Sequence, residues 1–128
     1  MAKDLEQQYD AILRLEEVGG DVKIGNDVIA AVAGLAATEV EGVAKMASGL
    51  TNEIIGRLGM KNQRAGVEIR IEENRINADL SIVIQYGYSI PKTAKAVQER
   101  VKNAVDSMIG LPVERVNVHI VGVDIDKA

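Results

Sequence analysis

The stretch INADLSIVIQYGYSIPKTAKAVQERVKNAV, residues 76–105, changes its hydrophobic period part-way along, and that change decides the fold. Ile76, Ala78, Leu80, Ile82, Ile84 and Tyr86 recur at every second position and alternate with Asn77, Asp79, Ser81 and Gln85. Successive side chains of a strand point to opposite faces, so this alternation predicts a strand with one dry face. From Pro91 the apolar positions become Ala94, Val97, Val101, Ala104, Val105 and Met108, one stripe of an amphipathic helix. The junction between them has its own local chemistry. Tyr86 ends the inward face, Gly87 permits a backbone angle other residues avoid, Ser89 can accept from the free amides of the coming turn, and Pro91 suits a first helical turn. The junction reads as punctuation between strand and helix, leaving Tyr88 without an assigned face and available to a contact surface.

Upstream, VEIRI places Val67, Ile69 and Ile71 on one face, and the polar Glu72-Glu73-Asn74-Arg75 joins it to the quoted strand as a hairpin. Downstream, Gly110 stops the helix, Pro112 prevents its return, and VNVHIVGV predicts a last strand with Val116, Val118 and Ile120 inward. Before the hairpin, Val22 to Ile24 and GVAKMAS are short strand candidates. Between them Gly25-Asn26-Asp27 offers capping groups to a helix carrying Val28, Ile29, Val32, Ala33, Ala36 and Val40, closed by Gly42. Thr51 or Asn52 could cap a further helix with Ile54, Ile55 and Leu58. Residues 1–20 space Leu5, Tyr9, Ile12 and Glu16 helically and stop at Gly19-Gly20. The expected class is α+β, a two-layer sandwich with helices on one face of a small mixed sheet. The divisions are an acidic, partly helical extension over 1–20, the α+β domain over 21–125 and a tail over 126–128.

Composition excludes several functions. The 128 residues contain no Cys, Phe or Trp, which removes disulfides, thiolate chemistry and most aromatic stacking platforms for single-stranded nucleic acid. Of the net charge of −4, residues 1–20 contribute five acids against two bases, so the rest of the chain is close to neutral. A body without clustered Lys and Arg does not attract nucleic acid or anionic lipid broadly. The acidic start is unlike a signal peptide, and no apolar run approaches the ~20 residues of a membrane span, so direct membrane insertion is not expected.

Catalytic and metal residues are expected to be none. The single histidine, His119, has no cysteine partner and occupies an outward position of the last strand. Glu72-Glu73 falls in a turn, and Asp124 and Asp126 lack the loop that supplies a calcium ion's other oxygens. No phosphate-cradling or dinucleotide glycine motif is present, so no cofactor is expected. Gly56 and Gly59, followed by Lys61 and Arg64, match the spacing of an RNA-clamping KH loop. Only six residues separate Gly59 from Gly66, too few for the two-turn helix such a domain needs there, so an RNA-binding module with a KH-like loop stands as a second alternative to a protein-binding role.

Two segments, GDVKIGNDVIAAVAGLAATEVEGVAKM (20–46) and VIQYGYSIPKTAKAVQERVKNAVDSMIGLPVERVNVHIVGV (83–123), carry a family resemblance. In order they hold a V-I-x-x-x-A-G-x-A-A-x-E-V-x-G-V run, a Y-G-x-x-I-P turn, a V-Q-x-x-V helix and a V-N-V-H-I-V-G strand. The chain resembles the alkaline-shock and general-stress family of envelope stress response proteins of Gram-positive bacteria. The resemblance implies a non-enzymatic cytosolic scaffold or regulator without established catalytic residues, in some members held peripherally at the membrane by a separate anchor protein. Some relatives are instead linked to regulation of acetyl-CoA carboxylase in fatty-acid synthesis. The partners so implied are proteins, with self-association open and nucleic acid not expected. The residues add a surface: the outward face of the hairpin and last strand carries isolated Val83 and Val121 beside His119, and with Tyr88 these form the candidate protein-contact residues.

Overall fold

The structure is a computed structural model that describes residues 11–14, 19–47 and 66–125. In order it contains β1 (Ala11–Arg14), β2 (Asp21–Ile24), α1 (Asn26–Thr38), β3 (Val43–Met46), β4 (Val67–Glu72), β5 (Arg75–Gln85), α2 (Ile90–Ile109) and β6 (Val113–Asp124). The two-layer α+β architecture is as expected, with β5 the hub of a four-stranded mixed sheet. β4 and β3 both pair antiparallel with β5, β4 along Arg75–Leu80 and β3 along Ile82–Ile84, so together they form one interrupted edge. On the other side, β6 runs parallel to β5, returned there by α2. The break between β3 and β4 is stitched by one residue: Ser81 O accepts from Ala47 N and Ser81 N donates to Gly66 O, each at 2.8 Å.

The dry face of β5 is as read. Ile76, Leu80 and Ile82 are fully buried, and Ala78 and Ile84 nearly so. Both helices pack over this face. The buried residues of α1 are mostly small, Ala30, Ala33, Gly34, Ala36 and Ala37 with Ile29. Small residues let a helix axis approach its neighbours closely, and α1 packs against α2 as well as the sheet. In α2 the buried row is Thr93, Val97, Val101, Val105 and Ile109, a strict i, i+4 series. Met108 lies one position round the helix from Ile109 and is 70% exposed, correcting its inward assignment. Val28 of α1 is likewise outside, at 53%. Val116, Val118 and Ile120 pack partly buried against the core.

The ends of α2 follow the expected chemistry. Ser89 caps it by accepting from Lys92 N, Pro91 occupies the first turn, and Gly110 closes it in the left-handed region at φ 84°. α1 departs from expectation at both ends: its N-cap is Gly25, with no side-chain cap, and the helix stops at Thr38, before Gly42. Tyr86 also turns outward, at 68% exposure, because β5 ends at Gln85 and the alternation ends with it.

Ala11–Arg14 is a strand and not part of a helix. It pairs antiparallel with Asp21–Ile24, joining residues on either side of position 20. Gly19 and Gly20, both at positive φ, lie between the two strands, and an available strand partner outweighs a weak helical period over a few residues. Leu13 packs over the end of α2, its methyls 3.7 Å from the position a β-carbon on Gly110 would take. The helix expected around Ile54, Ile55 and Leu58, and the Gly56–Gly59 loop, lie outside the described residues.

The hairpin between β4 and β5 turns through Glu73 and Asn74, at φ 52° and 61°. Two consecutive left-handed residues are the signature of a type I′ turn, which favours Asn then Gly and strains a glutamate. Glu73→Asn is therefore expected to stabilise the fold by about 0.5–1 kcal/mol. Denaturant unfolding checks this as a rise in midpoint at unchanged slope.

Candidate partner-binding face

Register assigns the second face of the sheet residue by residue. Opposite Asp79 of β5 stand Glu68 of β4 and Asn117 of β6; opposite Ser81 stands His119; opposite Val83 stand Lys45 of β3 and Gly122 of β6. A bulge between the pairs Ile82–Ile120 and Val83–Gly122 leaves Val121 as the extra residue, 58% exposed. Among the described residues, no helix packs across this face. It is polar at its centre and apolar only around Val83 and Val121.

Asp79 organises the centre. Its Oδ2 accepts from Arg70 Nη2 at 2.9 Å and its Oδ1 from Asn117 Nδ2 at 3.0 Å. His119 Nε2 lies 3.6 Å from the same Oδ1, beyond hydrogen-bond range but close enough for an ion pair when protonated. Asp79 and Glu68 are like charges directly across strands, an arrangement that disfavours itself unless cations or donors compensate. Arg70 and Asn117 do so, and hold the carboxylate in one orientation. Beside it a shallow concavity of about 430 Å³ is lined by Gly66, Val67, Glu68, Asp79, Ser81 and His119. Among the described residues no group of three or more His, Cys, Asp or Glu could hold a metal ion.

Three of the four candidate contact residues share this face: His119, Val83 and Val121. Val83 is half-buried against Gly122, where an added β-carbon would sit 3.8 Å from its methyls. Tyr88 is elsewhere. It lies in the turn before α2, its hydroxyl donating to Glu41 Oε2 at 3.3 Å and its ring against Gly42. Gly42 has φ 101°, and a β-carbon there would come within 2.8 Å of the ring, so Tyr88 and Gly42 fit together as one closure between the α1–β3 turn and α2. Asp79 was legible as an outward residue of β5, but its part as hub depends on Arg70 and Asn117 arriving from two other strands.

The Glu41 carboxylate raises the Tyr88 phenol above its ordinary value of 10.0, first by charge repulsion of the phenolate, then by lost hydration and by the hydrogen bond to Glu41. A raised folded value means the native state holds its proton more tightly. The resulting contribution to stability is present below about pH 10 and declines as pH rises through the folded value. Phenolate absorbance during alkaline titration, taken as the difference from Tyr88→Phe, should show Tyr88 ionising later than a free tyrosine. Glu41→Gln should bring it back.

The model of the ASP23 family, described by a cell envelope-related function, matches residues 14–125. The chain belongs to this family. It is 37% identical over 107 residues to the uncharacterized protein YqhY of Bacillus subtilis, covering 84% of this chain and 79% of that one. With the uncharacterized protein YloU of the same organism identity is 41% over 110 residues, covering 81% and 88%. Spy1614 of Streptococcus pyogenes, also uncharacterized, shares 34% over 110 residues, covering 84% and 91%. Among solved structures, a variant of MamM-CTD superposes with a TM-score of 0.50 at 18% identity, over 78% of this chain and all of that one. At that identity the likeness concerns the fold alone.

Proposed function

We propose that this ASP23-family chain is a non-enzymatic protein-binding scaffold or regulator of the cell envelope, held at the membrane by a partner that carries the anchor. Its contact surface is the outer face of β3, β4, β5 and β6. The observation that supports this reading is the asymmetry of the sheet: one face is buried under both helices, while the other presents an ordered polar centre at Asp79 with Val83 and Val121 beside it. A preorganised polar group beside exposed apolar side chains offers a protein partner both oriented hydrogen bonds and apolar area to cover. No helix among the described residues is long and apolar enough to cross a membrane, which fits an anchor supplied by a partner. His119 Nε2 lies 3.6 Å from Asp79 Oδ1, outside hydrogen-bond range, so the carboxylate does not orient the imidazole as a base beside Ser81 would require.

Lys45 and Glu68 are exposed on this face and of opposite charge, so Lys45→Glu combined with Glu68→Lys reverses the local pattern without altering net charge. In fractionated native cells the parent chain should be recovered partly with membranes and be released when exposed membrane proteins are digested. The double variant, with an unchanged circular dichroism spectrum, should be lost from that fraction. Equal recovery of parent and variant would overturn the reading of the face.

A further inference from the structure

Asn77 is 5% exposed, although alternation places it on the outer face of β5, between the inward Ile76 and Ala78. Among the described residues its carboxamide has no hydrogen-bond partner. A buried polar group left unpaired is costly, and an apolar side chain of similar shape would avoid that cost. We propose that Asn77 is the floor of a carboxylate-binding site walled by Arg70 and Arg115, and that the carboxylate it takes is an acidic side chain of a protein partner. The partner as its source rests on the function proposed above; the site itself does not.

Register brings the two arginines to either side of Asn77, Arg70 from β4 and Arg115 from β6. Neighbouring strands are about 4.8 Å apart, so both guanidiniums can reach an anion seated over the carboxamide. The rank depends on an irregularity in β6. Ile76 pairs with Val113 but Asn77 pairs with Arg115, so Glu114 is the extra residue; without it an acid would stand where Arg115 does. Both arginines are exposed and have hydrogens to give. Arg70 donates to Asp79 through Nη2 alone, which leaves its Nε and Nη1. Arg115 borders a small groove beside Glu99 of α2 but has no ion pair.

The surrounding charges select a single negative charge. Asp79 already neutralises Arg70, and Glu114 lies 3.4 Å from Arg75, so Arg115 is the cation of this rank still without an anion. Glu72, beside Arg70 along β4 and opposite Arg75, repels anything more highly charged. A carboxylate therefore fits better than a dianion. It is also planar, as a guanidinium fork requires, and Asn77 Nδ2 supplies a donor between the two forks. When the carboxylate seats, the unpaired carboxamide gains its partner and Arg115 its counter-charge together.

Side-chain resonances of the nitrogen-labelled full chain, titrated with sodium acetate against sodium chloride at constant ionic strength, test this. The Asn77 amide and Arg115 Nε signals should shift saturably with acetate, with a dissociation constant on the order of 10 mM for so small a ligand. Sodium sulfate should bind no more tightly. The peptide acetyl-Ala-Glu-Ala-amide should reproduce the response of the arginine signals and its Gln counterpart should not. Arg115→Gln, at an exposed position, should weaken acetate binding on the order of tenfold. Asn77→Leu should weaken it as much, read at Arg115 Nε, without lowering the urea midpoint, because the lost carboxamide had no partner in the free protein. The Lys45/Glu68 exchange should leave the acetate response intact, so failure of this site and failure of the partner-binding reading are seen separately. Four outcomes overturn the inference: no saturable shift with acetate or the glutamyl peptide, tighter binding of sulfate, a response unchanged by Arg115→Gln, or a lowered midpoint in Asn77→Leu with acetate binding retained.

Discussion

Replacing Gly66 with alanine should cost about 3–5 kcal/mol, a large part of the 5–15 kcal/mol that holds a typical domain folded. Two independent terms converge there. Gly66 sits at φ 78°, where an L side chain is strained, and a β-carbon would collide with the Ala47 carbonyl oxygen and approach that of Ser81 at 2.9 Å. Neither obstacle can rotate away, because both are backbone: Ala47 and Gly66 are held together on the two sides of Ser81 where β3 and β4 meet. Gly20 supplies the comparison. It has φ 94° but nothing within 4 Å of an added β-carbon, so Gly20→Ala should show only the conformational cost of about 1 kcal/mol. Urea unfolding of the pair separates close approach from backbone angle. Equal losses would mean that β3 and β4 do not close on Ser81.

Leu80→Ala should be destabilising by about 2–5 kcal/mol, through lost transfer energy and the cavity left behind. Leu80 is fully buried in β5, in register with Val67 on one side and Val118 on the other, so its loss opens the centre of the sheet beneath the helices. Leu35 of α1 is 58% exposed, and Leu35→Ala should fall within about 0.5 kcal/mol of the parent. The same substitution at two leucines thus measures burial directly. Similar midpoints for both variants would contradict the assignment of the dry face.

The fold was legible where a hydrophobic period ran long enough to be unmistakable. Eleven residues of alternation in β5, followed by a helical stripe from Pro91 and bounded by Ser89 and Gly110, carried the strand, the helix and both caps of α2. Short elements were less legible. Ala11–Arg14 read as helix because four residues hold too little periodic information, and what makes them a strand is a partner beyond a glycine pair. Met108 and Ile109 are adjacent apolar residues about 100° apart on the helix, and only packing decides which goes in. In α1 the alanines satisfy almost any face, so the exposure of Val28 and Leu35 followed from which side approached α2 and the sheet. The candidate site divides in the same way. Outward alternation identified His119, Val83 and Asp79 as sharing a face, while the Asp79 cluster needed cross-strand register and Tyr88 needed the unforeseen approach of Gly42.

The outer face of the sheet is proposed as the surface on which this chain meets a protein partner. Site-specific photocrosslinking in cells that make the protein tests that most directly, with a photoreactive residue placed in separate full-length chains at Lys45, at Glu68 and at Leu35. The expected result is a crosslinked protein partner from Lys45 and Glu68, recovered with membranes, and none from Leu35 on the exposed side of α1. Crosslinks from Leu35 with none from Lys45 or Glu68 would contradict it.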